Sequence, residues 1–114
     1  MTIKAFVQAY TLHDSLVKQI VYDRGKMELR MKLDFCWWMQ KDFDDDRKNP
    51  EIVELAFTGV PAYQGLQGEV DDYSVLDMET NGSEVTITLL DDIHDQPYEL
   101  TFCADAVSMR GKDL

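Results

Sequence analysis

The sequence lacks any long apolar run, which limits where the chain is expected to reside. No stretch approaches the roughly 18 apolar residues that a membrane-spanning helix needs. The first residues, Met1 to Leu12, contain no apolar segment followed by a small-residue cleavage site, so no secretory signal is predicted. We therefore expect a cytoplasmic protein that does not bind membranes.

Cysteine is also scarce. The two cysteines, Cys36 and Cys103, are too few to form the disulfide framework of a small secreted domain. We expect both thiols to be reduced, although they could pair if the second and sixth predicted strands were neighbours. Neither cysteine has a base close to it in the sequence, and such cysteines are commonly inert.

Positive charge is the third shortage. Eleven Lys and Arg residues stand against 22 Asp and Glu residues, which gives a net charge of −11. This charge repels phosphate backbones and anionic membrane surfaces, so nucleic acid and membranes are not expected partners. A basic protein is the kind of partner that such a charge attracts. The simpler explanation is that the acidic surface serves solubility alone.

Motifs for catalysis and cofactor binding are missing as well. Gly65 and Gly68 precede neither a Lys nor a predicted helix, so they do not form a phosphate-binding loop. No serine lies in a G-x-S-x-G motif; the serines are Ser15, Ser74, Ser83 and Ser108. The sequence therefore offers no catalytic residue and implies no cofactor.

What the sequence does contain is a regular two-residue alternation. From Met27 to Phe35, apolar residues occupy every second position and charged residues occupy the positions between them. A helix would scatter these apolar residues around its circumference, whereas a strand places them all on one face. The segment is therefore predicted to be a β-strand with one buried face and one exposed face.

A hairpin is predicted just before this alternation. If Arg24-Gly25 forms a two-residue loop, Ile20 lies opposite Leu29 and Leu16 lies opposite Leu33. Because several apolar pairs fall into register together, the hairpin is favoured.

A second hairpin is predicted around Asn81-Gly82, which is a strong signal for a tight turn between strands. This loop would place Met78 opposite Val85 and Leu76 opposite Ile87.

Six strands are predicted in all, at residues 16–22, 27–37, 52–58, 73–79, 84–90 and 98–104. Consecutive hairpins without long helical patterns predict a single, mainly β domain over residues 1–114, folded as an antiparallel sandwich or a partly open barrel. Residues 1–12 fit both a helical stripe and a strand pattern, and a strand or irregular segment is favoured. Residues 107–114 are expected to form a frayed end.

The pair Trp37-Trp38 is the most distinctive aromatic feature. Neighbouring residues of a strand point to opposite faces, so Trp37 is expected in the core. Trp38 is then expected on the outer face, which Arg30, Lys32, Asp34 and Cys36 would share, together with Val17 and Val21. An exposed Trp beside Arg resembles an interaction hot spot. The alternative is that another part of the protein covers it.

The loop after this strand is acidic. It lacks the alternating ligands, central Gly and terminal Glu of a calcium-binding loop; its aspartates are Asp42, Asp44, Asp45 and Asp46. The loop is interpreted either as a solvated segment or as a contact surface for a cationic partner.

A metal site is the alternative use of the histidines. His13 and Asp14, combined with Asp92 and His94, would supply nitrogen and oxygen ligands for a small metal-binding or hydrolytic protein. Nothing in the sequence brings the two segments together. Otherwise, Asp14 is a turn residue that introduces the first strand, and His94 is a solvated loop residue.

The segments LHDSLVKQIVYDRGKMELRMKLDFCWWMQ and EIVELAFTGV resemble a group of small uncharacterised bacterial proteins in which a Leu-His-Asp-Ser stretch precedes a hairpin and an acidic loop. The resemblance covers roughly residues 10–60. The sequence is similar, more distantly, to small acidic immunity proteins that neutralise toxins. The resemblance implies a bacterial cytoplasmic protein and assigns no catalytic residue.

The sequence thus favours a non-enzymatic, acidic protein-interaction domain of the immunity or inhibitor type. Its predicted contact residues are Trp38, Arg30, Lys32, Asp42, Asp44, Asp45 and Asp46. The alternatives are the small metal- or ligand-binding protein described above and a homo-oligomeric structural module that associates through a strand edge or the Trp38 face.

Overall fold

The computed structural model describes residues 1–36 and 52–111 as one short helix followed by seven strands. The elements are α1 (Ile3–Ala9), β1 (Leu16–Asp23), β2 (Glu28–Asp34), β3 (Ile52–Thr58), β4 (Gly68–Asn81), β5 (Glu84–Asp91), β6 (Gln96–Cys103) and β7 (Ala106–Gly111). The strands form one antiparallel sheet in the order β6-β5-β4-β1-β2-β3-β7. No helix in this part of the chain is long and apolar enough to span a membrane.

The mainly β, antiparallel prediction is confirmed, but the count of six strands is wrong. The tail predicted to fray forms β7 instead, because Val107 is buried opposite Phe57 of β3. The strand or irregular structure favoured for the N-terminus is also wrong. Thr2 caps α1 by accepting a hydrogen bond from the Ala5 amide, and Ile3 and Phe6 of the helical stripe are buried in the core.

The first hairpin exists, but its loop is longer than predicted. The chain turns over residues 24–27, so Tyr22 rather than Ile20 lies opposite Leu29. Met27 adopts a positive φ of 50° in this turn, and its side chain is exposed rather than buried. The remaining alternation of β2 is confirmed, with Leu29, Met31 and Leu33 fully buried.

A β-bulge at Lys18 changes which side chains of β1 face the core. The register shifts between Val17 and Gln19, where β1 has one residue more than β2. Such an extra residue reverses which side chains face the core on one side of the bulge. Val17 is therefore buried opposite Leu33, and Leu16 is exposed. The prediction that Val17 shares the outer face is wrong, whereas Val21 is exposed as predicted.

The second hairpin turns through Gly82-Ser83 rather than Asn81-Gly82. Gly82 supplies the positive φ of 65° that the turn requires. The register therefore shifts by two residues, which keeps Met78 on the buried face but places it opposite Ile87. A second bulge, between Val75 and Asp77, leaves Leu76 exposed instead of paired with Ile87.

The sheet curls until strands far apart in the strand order pack against each other. The rings of Phe57 in β3 and Phe102 in β6 meet edge to face, with 5.0 Å between their centroids. At the end of β6, the Ala104 amide donates to the carbonyl of Ser83 and the next amide, that of Asp105, donates to the carbonyl of Thr58. The chain thus passes from the β5 side of the core to the β3 side. Among the described residues no ladder joins β6 to β7, so the sheet stays open and is not a closed barrel.

The two cysteines do not pair. β2 and β6 are not neighbours in the sheet, and both thiols are free. Cys36 is buried rather than on the predicted outer face, because β2 ends at Asp34 and the alternation of the strand does not extend to Cys36. The Cys36 amide donates a hydrogen bond to the buried Ser15 hydroxyl at 3.0 Å. Cys103 is exposed.

Candidate protein-interaction face

The predicted contact residues that the structure describes, Arg30 and Lys32, lie on the outer face of β2. Lys32 is flanked in the register by Gln19 of β1 and Glu54 of β3. Lys32 also lines an open groove with Lys18, Gln19 and Glu69. Trp38, Asp42, Asp44, Asp45 and Asp46 lie outside the described residues, so their predicted role stays a prediction.

Arg30 is already engaged within the chain. Its guanidinium donates to the carboxylate of Glu28, which lies two residues earlier on the same face. This hydrogen bond, followed by the charge of Glu28, raises the pKa of Arg30. Part of the positive charge on the β2 face is therefore neutralised locally.

The two segments of the alternative metal site make separate contacts, and within the first segment the His13 Nε2 lies 3.4 Å from a carboxylate oxygen of Asp14. The His13 Nδ1 lies 2.9 Å from the carbonyl oxygen of Leu76, and Asp92 accepts a hydrogen bond from the Ser74 hydroxyl at 3.2 Å. His94 lies 2.9 Å from Asp91 in the β5–β6 turn. Within residues 1–36 and 52–111, no three His, Cys, Asp or Glu side chains gather in a way that would hold a metal ion.

The Leu-His-Asp-Ser stretch has a structural use in this fold. Asp14 adopts a positive φ of 67°, and its amide donates to the carbonyl of Val75 at the bulge of β4. Ser15 is the one buried polar residue in the described part of the chain, and its hydroxyl accepts from the Cys36 amide. The Val75 amide in turn donates to the Ser15 carbonyl. The stretch thus ties the start of β1 to β4 and to the end of β2.

Charge is divided sharply between two parts of the chain. The interval from residue 49 to residue 109 contains no Lys and no Arg. Residues 52–111 therefore carry twelve Asp and Glu residues against one Arg, whereas residues 1–36 carry four against six Lys and Arg residues. All of the net negative charge outside the undescribed segments therefore belongs to residues 52–111, which hold β3 to β7.

The outer face of β4, β5 and β6 concentrates this charge around a patch of threonines. Thr88 lies between Asp77 of β4 and Glu99 of β6 in the register, and Thr86 lies between Glu79 and Thr101. The inward neighbours on these strands are buried in the core; they include Met78, Val85, Ile87, Leu100 and Phe102. We call the outward set of Asp77, Glu79, Thr86, Thr88, Glu99 and Thr101 the threonine–carboxylate face.

The register of this face places a carboxylate on each side of a threonine. Neighbouring strands lie about 4.8 Å apart, so the backbones that carry Asp77 and Glu99 are separated by roughly 10 Å across β5. The Thr86 and Thr101 hydroxyl oxygens are 3.5 Å apart at its centre. In the described part of the chain no salt bridge neutralises Asp77, Glu79 or Glu99.

Comparisons with protein-family models, with curated proteins and with solved structures find no match. The face therefore has to be interpreted from its own chemistry. The sequence predictions did not include it, because they followed single strands and loops. The sequence feature that could have indicated an acidic face is the absence of Lys and Arg over residues 49–109.

Proposed function

We propose that this protein is a non-enzymatic, acidic interaction domain that binds a basic protein through the threonine–carboxylate face. The observation that carries the proposal is the division of charge, because it leaves the three neighbouring strands β4, β5 and β6 with Asp and Glu side chains and no Lys or Arg. Because the side chains at the centre of this face are short hydroxyls, a partner can approach it closely. It offers hydrogen bonds at its centre and charge at its rim.

Electrostatics supports a cationic partner in particular. Uncompensated carboxylates on one face add their potentials and speed the encounter with a protein of opposite charge. The same charges act against nucleic acid and against a second copy of the chain. Because exposed charges are screened over a Debye length of about 8 Å at physiological salt, binding should weaken as salt is added.

The other predicted contacts fit this proposal as an extension of it. Trp38 would add affinity as an aromatic anchor, and Asp42, Asp44, Asp45 and Asp46 would add to the attraction of a basic surface. An inhibitor of the immunity type, to which the sequence bears a more distant resemblance, would use acidic surfaces in this way.

A charge-neutralised variant tests the proposal against a matched control. The face variant carries Asp77→Asn, Glu79→Gln and Glu99→Gln. The control carries Asp23→Asn, Asp34→Asn and Glu69→Gln, which change the net charge equally at exposed positions outside the face, on β1, on β2 and at the start of β4 opposite Gln19 of β1. Affinity purification from the native host, quantified by mass spectrometry, is expected to recover a basic protein with the wild type and the control but not with the face variant.

Two results would contradict the proposal. One is that the wild type recovers no specific basic protein at physiological salt. The other is that both variants lose the partner equally, which would mean that net charge and not this face drives binding.

A further inference from the structure

The edge strand β6 offers unpaired backbone groups beside the threonine–carboxylate face. In the described part of the chain, β6 pairs with β5 on one side and with no strand on the other. The Ala104 amide donates to the carbonyl of Ser83, which lies opposite it in the same ladder. Because amides alternate in direction along a strand, the N–H and C=O groups of Glu99 and Thr101 point away from β5.

Pro97 agrees with this assignment. A proline within a sheet occupies an edge position whose missing N–H faces away from the ladder. Pro97 is spaced by two residues from Glu99, so it lies on the same outward-pointing set. The unpaired side of β6 therefore presents the N–H and C=O groups of Glu99 and Thr101 and the C=O group of Pro97.

The first half of β6 is uncovered on both faces. Residues 96–99 are all exposed, although Tyr98 belongs to the inward set and contacts Tyr73. The second half lies beside the segment after β3, where the Tyr63 and Phe102 rings pack 6.1 Å apart. At the other edge of the sheet, the Val107 amide of β7 donates to the carbonyl of Met1. Among residues 1–36 and 52–111, the backbone of β7 is thus partly covered, and no segment covers the first half of the β6 edge.

The negative charge beside β6 determines which kind of segment can pair with this edge. Exposed edges are commonly protected from self-association by charged residues and proline, and β6 has Glu99 and Pro97. A second copy of β6 would bring Glu99 and its acidic surroundings against the same charges, which disfavours that pairing. A segment with Lys or Arg would meet opposite charge instead.

We propose that β6 binds an extended, Lys- or Arg-rich segment of a protein partner as an added β-strand. The inference rests on the proposed function and specifies how the partner docks. Backbone hydrogen bonds to Glu99 and Thr101 would fix the segment, as in other cases of strand addition. Alternate basic side chains would then lie beside Glu99 on the threonine–carboxylate face.

A short, capped peptide that alternates lysine with valine is the probe. Its binding is measured by fluorescence anisotropy at low salt, beside the same peptide with every backbone nitrogen methylated. Methylation keeps the charge but removes every backbone donor, so affinity should fall by at least about tenfold if more than one edge hydrogen bond is lost. Glu99→Gln should weaken the unmethylated peptide by about threefold, whereas Asp34→Asn should leave it unchanged.

Amide hydrogen exchange locates the contact. The peptide is expected to slow the exchange of the Glu99 and Thr101 amides and to leave that of Val107 unaffected. If the methylated peptide binds equally well while Glu99→Gln still weakens binding, strand addition is overturned. The proposal that the threonine–carboxylate face binds a basic partner is then retained. If the peptide fails to bind, or if Glu99→Gln and Asp34→Asn weaken it equally, the edge proposal is also overturned. The host-protein experiment above then decides the proposed function by itself.

Discussion

The two halves of the sheet use the same buried pattern but differ in how their surfaces are built. In the β1–β2 half, positive and negative side chains alternate, and Arg30 is paired with Glu28. In the β4–β6 half, threonines and carboxylates cover the outer face and no Lys or Arg lies in the strands. A folded core needs only the inward residues, so the outer face is free to differ. This difference is why the β4–β6 half is the better candidate for a charged partner.

The core contact between the halves should dominate stability. Phe57 and Phe102 are buried where the curled sheet brings β3 against β6. Phe57→Ala removes this contact and leaves a cavity, and we expect the free energy of unfolding to fall by about 4 kcal/mol. Urea unfolding followed by circular dichroism measures the change.

Thr58→Ala is the matched control, because Thr58 is exposed beside Phe57 and its backbone contact is retained. Its effect should stay within about 0.5 kcal/mol. A Phe57→Ala variant that is as stable as this control would show that the two halves do not depend on a shared core.

The turns of the two hairpins give a smaller contrast. Gly82 has a φ of +65°, so Gly82→Ala places a side chain in the left-handed region although the space around it is open. This substitution should destabilise the protein by about 1 kcal/mol. Gly25 in the β1–β2 turn has no positive φ, and a Cβ there would lie 3.4 Å from the Asp23 carboxylate.

Gly25→Ala should therefore have little effect or stabilise slightly, since it restricts the unfolded chain. Thermal unfolding of the two variants side by side checks the contrast. Equal losses at both positions would mean that backbone conformation does not separate the two turns.

Much of the fold can be predicted because side-chain alternation reports directly on burial. Leu29, Met31 and Leu33 are buried as their spacing predicts, and β3 occupies the predicted residues 52–58. The loop shift at Gly82 moved the register by two residues, which preserves facing, so Met78 remains buried. A register error of two residues thus leaves the assignment of core residues correct, because the side chains of a strand alternate with a period of two.

The bulges could not be predicted, because no local pattern announces an extra residue. The bulge at Lys18 places Val17 in the core and leaves Leu16 exposed. The bulge in β4 leaves the Leu76 side chain exposed. The candidate face depends on which strands become neighbours. Asp77, Thr88 and Glu99 are far apart in the sequence, and only the register aligns them.

The smallest expected effect concerns the turn that joins β5 to β6. The hydrogen bond from His94 lowers the pKa of the Asp91 carboxyl, and the amides of His94 and Ile93 lower it further. A carboxyl whose pKa is depressed on folding contributes stability above its unfolded pKa of about 3.9, and this contribution is lost as pH falls through the folded value. His94→Ala should therefore raise the Asp91 pKa, whereas Ile93→Ala keeps the backbone donors and should leave that pKa unchanged. Carbon-detected NMR titration of the Asp91 carboxyl measures both variants, and identical titration curves would contradict the assigned role of His94.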